Sequence, residues 1–228
     1  MKVLSIDVGV KNLALCCLSY DKLNLNIDLW ESYDIYKTGN NIITCEGFKK
    51  NKEKCCKKAS YIDKKTNYNS CKIHIVKTSV LKKNKKVYSL HETTRLIIQQ
   101  LKKVYDEKLS NISIHTILIE LQPRVNQKMK FVSHVIFTCL VNLFYDKDTK
   151  IKFITARKKL HFKYFNDEFT CKNNENFNLK NYKDRKKLSI VYTNWFVNKY
   201  SDEWCNFLNS VTKKDDLCDA FLMSLNEC

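Results

Sequence analysis

Apolar positions fall in short blocks whose period changes along the chain from two to three or four. The first block, LSIDVGVKNLALC (residues 4–16), is β-prone on both sides of Gly9, which predicts a hairpin of two buried strands. A further extended run follows in LNIDLWESYDI (25–35). The period then becomes helical. Ser89-x-x-Glu92 forms a capping box, and Leu90, Thr93, Ile97, Leu101, Val104 and Lys108 lie on one stripe, so this helix is expected to pack on a sheet. ISIHTILIE (112–120) reads as a buried parallel strand closed by Glu120, and Pro123 separates it from a helix over 126–145. IKFITA (151–156) is a further strand. Leu188, Val191, Trp195 and Val197 give 182–198 a helical spacing, and KKDDLCDAFLMSLNE (213–227) is also helical. Strands followed by strand–helix alternation predict an α/β fold with a mixed sheet.

Residues 39–88 break this pattern. They are dense in lysine, poor in large aliphatics and hold four of the eleven cysteines, so they read as an insertion into a domain formed by 1–38 and 89–228. The charge sharpens the picture. Lys+Arg 41 against Asp+Glu 24 gives +17 over 228 residues, a field suited to a polyanionic partner such as nucleic acid. An odd cysteine count in a chain of this size, with no signal peptide ahead of the first strand, points to a reducing intracellular compartment. The longest apolar run, FVSHVIFTCLVNLFY (131–145), is too short to span a bilayer, so no membrane partner is expected.

Carboxylates occur where a core would not tolerate them alone. Asp7 lies inside the first strand, Glu120 closes a buried strand, and Asp216 and Asp219 share one helix face with Ala220 and Met223. Asp-x-Gly could be a phosphate-binding hairpin of the actin and sugar-kinase type. That fold needs a second glycine-rich loop, and the chain has only Gly9, Gly39 and Gly47. The remaining reading is that Asp7, Glu120, Asp216 and Asp219 hold hard divalent cations, two Mg²⁺ ions ~4 Å apart in the manner of phosphodiester hydrolysis. Asp215 reads as an ordinary acidic residue of a helix start.

SIDVGVKNLALC, ILIELQPRVNQKM, YKDRKKLSI and KKDDLCDAFL, in that order, resemble the Holliday junction resolvases of the RuvC-like group, especially the poxvirus and large-DNA-virus type. The resemblance covers about 1–35 and 89–228. It implies a ribonuclease H-like mixed five-stranded sheet flanked by helices, and a homodimer that resolves four-way DNA junctions by paired, Mg²⁺-dependent nicks, with Mn²⁺ able to substitute. Asp7, Glu120, Asp216 and Asp219 fall on the family's four metal-binding acids. The YKDRKK stretch matches a region that supplies an active-site lysine, assigned here to Lys186, with Lys183 and Lys187 as alternatives. Lys11, Gln122, Arg124, Lys128, Arg157, Lys158, Lys183, Arg185 and Lys187 are candidates for DNA contact, since arginines, lysines and helix starts suit phosphates. Lys159, His161, Phe162 and Tyr164 extend the Arg157–Lys158 run into a mixture of cations and rings. The apolar helix 126–145 is a candidate dimer surface, or packs against the sheet.

In the insertion, Cys71-x-x-His74 has a metal-knuckle spacing. Cys45 with Cys55 or its neighbour Cys56 would complete a Cys₃His tetrahedron for Zn²⁺. Two rivals to junction resolution stand beside it: a nuclease of the same fold cutting RNA–DNA hybrids or flaps, and a zinc-bearing nucleic-acid-binding module without catalysis.

Overall fold

The computed structural model describes residues 1–21, 24–36, 43–75, 81–83, 88–123, 125–155, 159–160, 177–178 and 181–227. These fall into two compact units, one formed by Met1–Tyr36 with Thr93–Cys228 and the other by Lys37–Glu92.

The first unit is built on a five-stranded sheet. Strands β1 (Lys2–Val8), β2 (Asn12–Asp21) and β3 (Asn24–Asp34) form an antiparallel meander. The turn between β1 and β2 is closed by Gly9, whose N–H donates to the Asn12 carbonyl. A Cβ at Gly9 would lie 2.8 Å from that same oxygen, so only glycine fits. The β-branched run predicted near Glu120 is β7 (Thr116–Leu121), which pairs parallel with β1, and β8 (Lys150–Thr155) pairs parallel with β7. The order is β3-β2-β1-β7-β8, a mixed sheet.

Strand alternation sends side chains to two cores. On one face, Leu4, Ile6, Val8, Leu13, Leu15, Ile117 and Ile119 pack against helix α1 (Leu90–Val104), which a π-helical turn extends through Leu109, and against α2 (Gln127–Leu143). The capping box of α1 forms as expected: the Glu92 N–H donates to Ser89 Oγ, and Ser89 N–H donates back to the Glu92 carboxylate. Thr93, Ile97, Leu101 and Val104 are buried. Leu90 is exposed, and Lys108, placed on the same stripe by spacing, reaches out to pair with Glu31. In α2, Val132, Ser133, Ile136 and Leu140 are buried.

On the other face, Ala14, Cys16, Leu18 and Trp30 meet α3 (Tyr182–Tyr200), α4 (Asp202–Ser210) and α5 (Asp215–Leu225). The buried stripe of α3 is Leu188, Tyr192, Phe196 and Val197; Val191 and Trp195 are only half-buried, a shift of one position from the spacing read in the sequence. Helix α4 was not anticipated. Its cap is Ser201, whose Oγ accepts from Trp204 N–H.

In the second unit, β4 (Tyr61–Asp63), β5 (Asn69–Ser70) and β6 (Leu81–Lys83) form a three-stranded sheet in the order β5-β4-β6. A ribbon precedes it, marked by bridges Thr44–Lys58 and Phe48–Lys54.

Candidate active site

The site forms because three elements are held in register. Pairing of Ile6 with Ile119 sets Asp7 and Glu120 side by side, one residue later, on the same sheet face. That face is where α5 docks. Trp30 Nε1 donates to the Leu217 carbonyl at 2.9 Å, Ser5 Oγ donates to the Ala220 carbonyl, and Ser224 Oγ donates to the Cys16 carbonyl at 3.0 Å. With the helix fixed at three points along its length, Asp216 and Asp219 project toward the strand ends. All four predicted acids line one cleft of about 530 Å³, together with Lys159, Lys186 and Arg185.

Two ammonium groups knit the acids together. Lys159, only 5% exposed, places Nζ at 2.8 Å from Asp7, 2.9 Å from Glu120 and 3.1 Å from Asp219. Its carbonyl accepts from Asn226 Nδ2 just past α5, which anchors it from the backbone side. Lys186 places Nζ at 2.8 Å from Asp219, 3.2 Å from Asp216 and 3.4 Å from Asp215. Asp215, read as an ordinary helix-start acid, is thus the outer partner of Lys186. Lys213 at the rim also pairs with Asp216.

Burial sets the protonation. Asp7 is pushed well above the usual carboxylate range by burial, which Lys159 opposes and Glu120 and Asp219 reinforce. Burial also raises Asp219, but Lys159 and Lys186 outweigh it and hold the group below the usual range. Asp216 is lowered in the same way by Lys213 and Lys186 against its burial. For both lysines burial favours the neutral form, yet the surrounding carboxylates prevail and keep them cationic.

This donor set fits a divalent ion. Four carboxylates converge on the ammonium groups of buried Lys159 and half-buried Lys186, so full ionisation leaves negative charge in excess at the cleft. An added hard cation with oxygen ligands would relieve it.

The remaining predicted residues are placed as follows. Lys186 is the lysine of its cluster that enters the carboxylates; Lys183 and Lys187 are exposed on α3. Arg185 lines the cleft 5.9 Å from the exposed ring of Tyr182. Lys11 is at the cleft edge, paired with Asp34 at 3.1 Å. Lys128 is half-buried in the first turn of α2, whose cap is Asn126, accepting from Met129 N–H. Gln122 lines the cleft beside Glu120. It is 6% exposed, and its Nε2 donates to the Glu120 carboxylate at 3.1 Å and to the Val8 carbonyl at 3.3 Å. Its amide therefore orients Glu120 instead of facing solvent. Arg124, Arg157, Lys158, His161, Phe162 and Tyr164 lie outside the described residues. Cys45, Cys55, Cys71 and His74 come together in the second unit. Cys56 is exposed and turned away, its Sγ toward the Lys54 carbonyl.

Lys159 is the residue that sequence reasoning placed elsewhere, in a surface-like basic run. Its place follows from the strand register: Glu120 pairs with Ile154 across β7 and β8, so a cation just beyond β8 emerges close to that carboxylate.

A mixed five-stranded sheet, flanked by helices and carrying acids at the strand ends and on the last described helix, is the ribonuclease H-like fold of the resolvases. A family model described as mitochondrial resolvase Ydc2 / RNA splicing MRS1 matches residues 3–122, and one described as poxvirus A22 protein matches 73–228. Each spans more than half of the chain, and the chain belongs to this resolvase family, whose nuclease activity is endonucleolytic. Similar proteins include the uncharacterized protein L451 of Acanthamoeba polyphaga mimivirus, 27% identical over 97% of this chain and 73% of its own length. Among solved structures, the fowlpox virus resolvase in complex with its Holliday junction substrate aligns with a TM-score of 0.51 and 18% identity, covering all of this chain and 96% of that one. Yeast mitochondrial Ydc2, a Holliday junction resolvase, aligns with a TM-score of 0.52 and 12% identity over 98% of this chain and 77% of that one. Among the described residues no helix is long and apolar enough to cross a membrane.

Proposed function

We propose that this chain is a structure-selective endonuclease that resolves four-way DNA junctions as a homodimer, each protomer hydrolysing one phosphodiester with Mg²⁺ or Mn²⁺. The observation that carries the proposal is the convergence of Asp7, Glu120, Asp216 and Asp219 on one cleft. These four would hold the metal, which when bound activates water and neutralises charge at the cleaved phosphate.

The chain's own residues supply the rest. Gln122 fixes the Glu120 carboxylate through its amide, and the α5 docking bonds fix Asp216 and Asp219. Lys186, held between Asp216 and Asp219, would place positive charge beside the cleaved phosphate. Arg185, Tyr182 and Lys11 stand at the cleft edge, where a phosphate backbone and an unstacked base would pass. The lysines of the inserted unit add backbone contacts, and the thiol content suits a reducing compartment inside a cell.

The complete acid set favours catalysis over a pure binding role. Substrate choice is tested by offering a labelled immobile four-way junction beside linear duplex, a flap and an RNA–DNA hybrid, with Mg²⁺, with chelator and with Asp7→Asn. Symmetric nicks confined to the junction, lost with chelator and variant, are expected. Cleavage of hybrid or flap instead would move the substrate. Tight junction binding without cutting under any metal would defeat the enzyme reading.

A further inference from the structure

The unit Lys37–Glu92 poses a stability problem of its own. It holds fifteen lysines against four acidic residues, leaving +11 of the chain's +17. Among its described residues Ile43, Phe48 and Ile73 are exposed, Ile62 and Ile75 are half-buried, and the buried cluster consists of Cys45, Cys55 and Cys71. A small basic unit whose centre is three thiols lacks the burial that a hydrophobic core would supply.

The backbone explains how the thiols meet. In the ribbon, Cys45 N–H donates to the Lys57 carbonyl and Cys55 N–H to the Gly47 carbonyl, which brings Cys45 and Cys55 together on facing arms. The arms are joined by a tight turn in which Lys52 adopts φ 63°. Cys71 follows β5 directly, and His74 N–H donates to the Cys71 carbonyl at 3.1 Å, so the second pair sits on one compact turn. The two pairs are tied by Glu46 N–H donating to the Asn69 carbonyl and by Asn69 N–H donating to the Glu46 carboxylate at 2.6 Å.

The side chains then converge. One ligand atom from each of Cys45, Cys55, Cys71 and His74 lies within 4.8 Å of all the others. His74 Nδ1 is 3.3 Å from Cys45 Sγ and 3.6 Å from Cys71 Sγ. With Zn–S of about 2.3 Å and Zn–N of about 2.0 Å, a tetrahedral ion sets its nitrogen and sulfur ligands roughly 3.5 Å apart, within about 0.2 Å of both separations. The imidazole is pressed against Gly47, where a Cβ would come within 2.7 Å of its Cγ, so the ribbon leaves room for this ring and for nothing larger at that residue. None of the three thiols is in a disulfide.

We infer that Cys45, Cys55, Cys71 and His74 bind one structural Zn²⁺ ion, which replaces a hydrophobic core in the inserted unit. All four positions are taken by protein ligands, so the site is closed and structural, not catalytic. It is separate from the carboxylate cleft in ligands and in the softness of its donors.

The test is metal analysis of the full chain, purified in reducing buffer without chelator. One zinc per chain is expected by elemental mass spectrometry. After exchange, cobalt should show tetrahedral visible bands and a thiolate charge-transfer band. Cys45→Ser and Cys71→Ser should lose the ion, whereas Cys56→Ser and Asp7→Asn should keep it. If the serine variants fail to fold, His74→Cys supplies a fourth thiolate; it should retain cobalt and intensify the charge-transfer band. Absence of zinc together with absence of cobalt bands in the wild-type chain would overturn the inference. So would full zinc occupancy in Cys71→Ser.

Discussion

In the sheet-centred unit, β1 and β2 are buried on both faces, with Leu4, Ile6 and Ile119 meeting one helical layer and Ala14, Cys16 and Trp30 meeting the other. In residues 37–92 the buried cluster is three cysteines among exposed lysines. The first unit draws its stability from apolar area, and its proposed metal would serve chemistry. The second reverses this: the zinc proposed there would supply the stability. Cysteine shows the contrast within one residue type. Burial pushes Cys218 up to about 12 and Cys139 up to about 11, which leaves them as inert packing groups, whereas Cys45, Cys55 and Cys71 face a common centre.

The sharpest way to break the comparison is to perturb each metal centre separately. Asp7→Asn should lower junction cleavage on the order of 10³-fold, measured under single-turnover conditions, while the melting transition of the sheet unit stays in place. A zinc-selective chelator should do the opposite. Limited proteolysis mapped by mass spectrometry should show cuts between 39 and 88 appearing soon after chelation, with the sheet unit still protected. Simultaneous loss of both units would show that they do not differ as argued.

Next in size is the apolar core. Phe221 packs against Trp30 and Phe196 at ring separations of 5.3 and 5.4 Å. Phe221→Ala should cost about 3–5 kcal/mol by denaturant titration and leave zinc content unchanged. Lys159→Met removes a buried counter-charge from three carboxylates, with an expected loss of about 3 kcal/mol in metal-free buffer. Much of that loss should return on adding Mg²⁺ or Mn²⁺, read as a melting shift. If the shift is the same as for wild type, Lys159 does not offset the carboxylates in the way its contacts suggest. The smallest effect is in thiol labelling at pH 8. Cys56 should react first, Cys139 and Cys218 slowly, and Cys45, Cys55 and Cys71 only after chelation.

The sequence reveals the parts of this molecule whose pattern reflects a local rule. The β1–β2 hairpin follows from alternation about Gly9, the start of α1 from Ser89 and Glu92, and the acid positions from the cost of burying Asp7 and Glu120. Asp216 and Asp219 were legible because helical spacing puts them on one side. What escaped depends on contacts between elements. Helix α4 is nine residues with one fully buried side chain, Leu208, too short for its period to stand out. The stripe of α3 shifted because both Phe196 and Val197 are buried, which blurs a 3.6-residue pattern. Gln122 and Lys159 looked like surface polar residues. Their inward direction comes from the β1–β7–β8 pairing, which no single stretch of sequence contains. The Cys55 or Cys56 alternative was likewise open until the ribbon pairing turned one in and the other out.

The acids of the cleft come from β1, β7 and α5, far apart along the chain. During synthesis the chain carries Asp7 out of the ribosome long before Asp219 exists. At about 5–20 residues per second the interval is on the order of ten to forty seconds. Until α5 docks against Ser5, Trp30 and Cys16, Asp7 and Glu120 have no partners from that helix. The proposed centre therefore cannot assemble until α5 has emerged, long after β1 and β2 are available to pair.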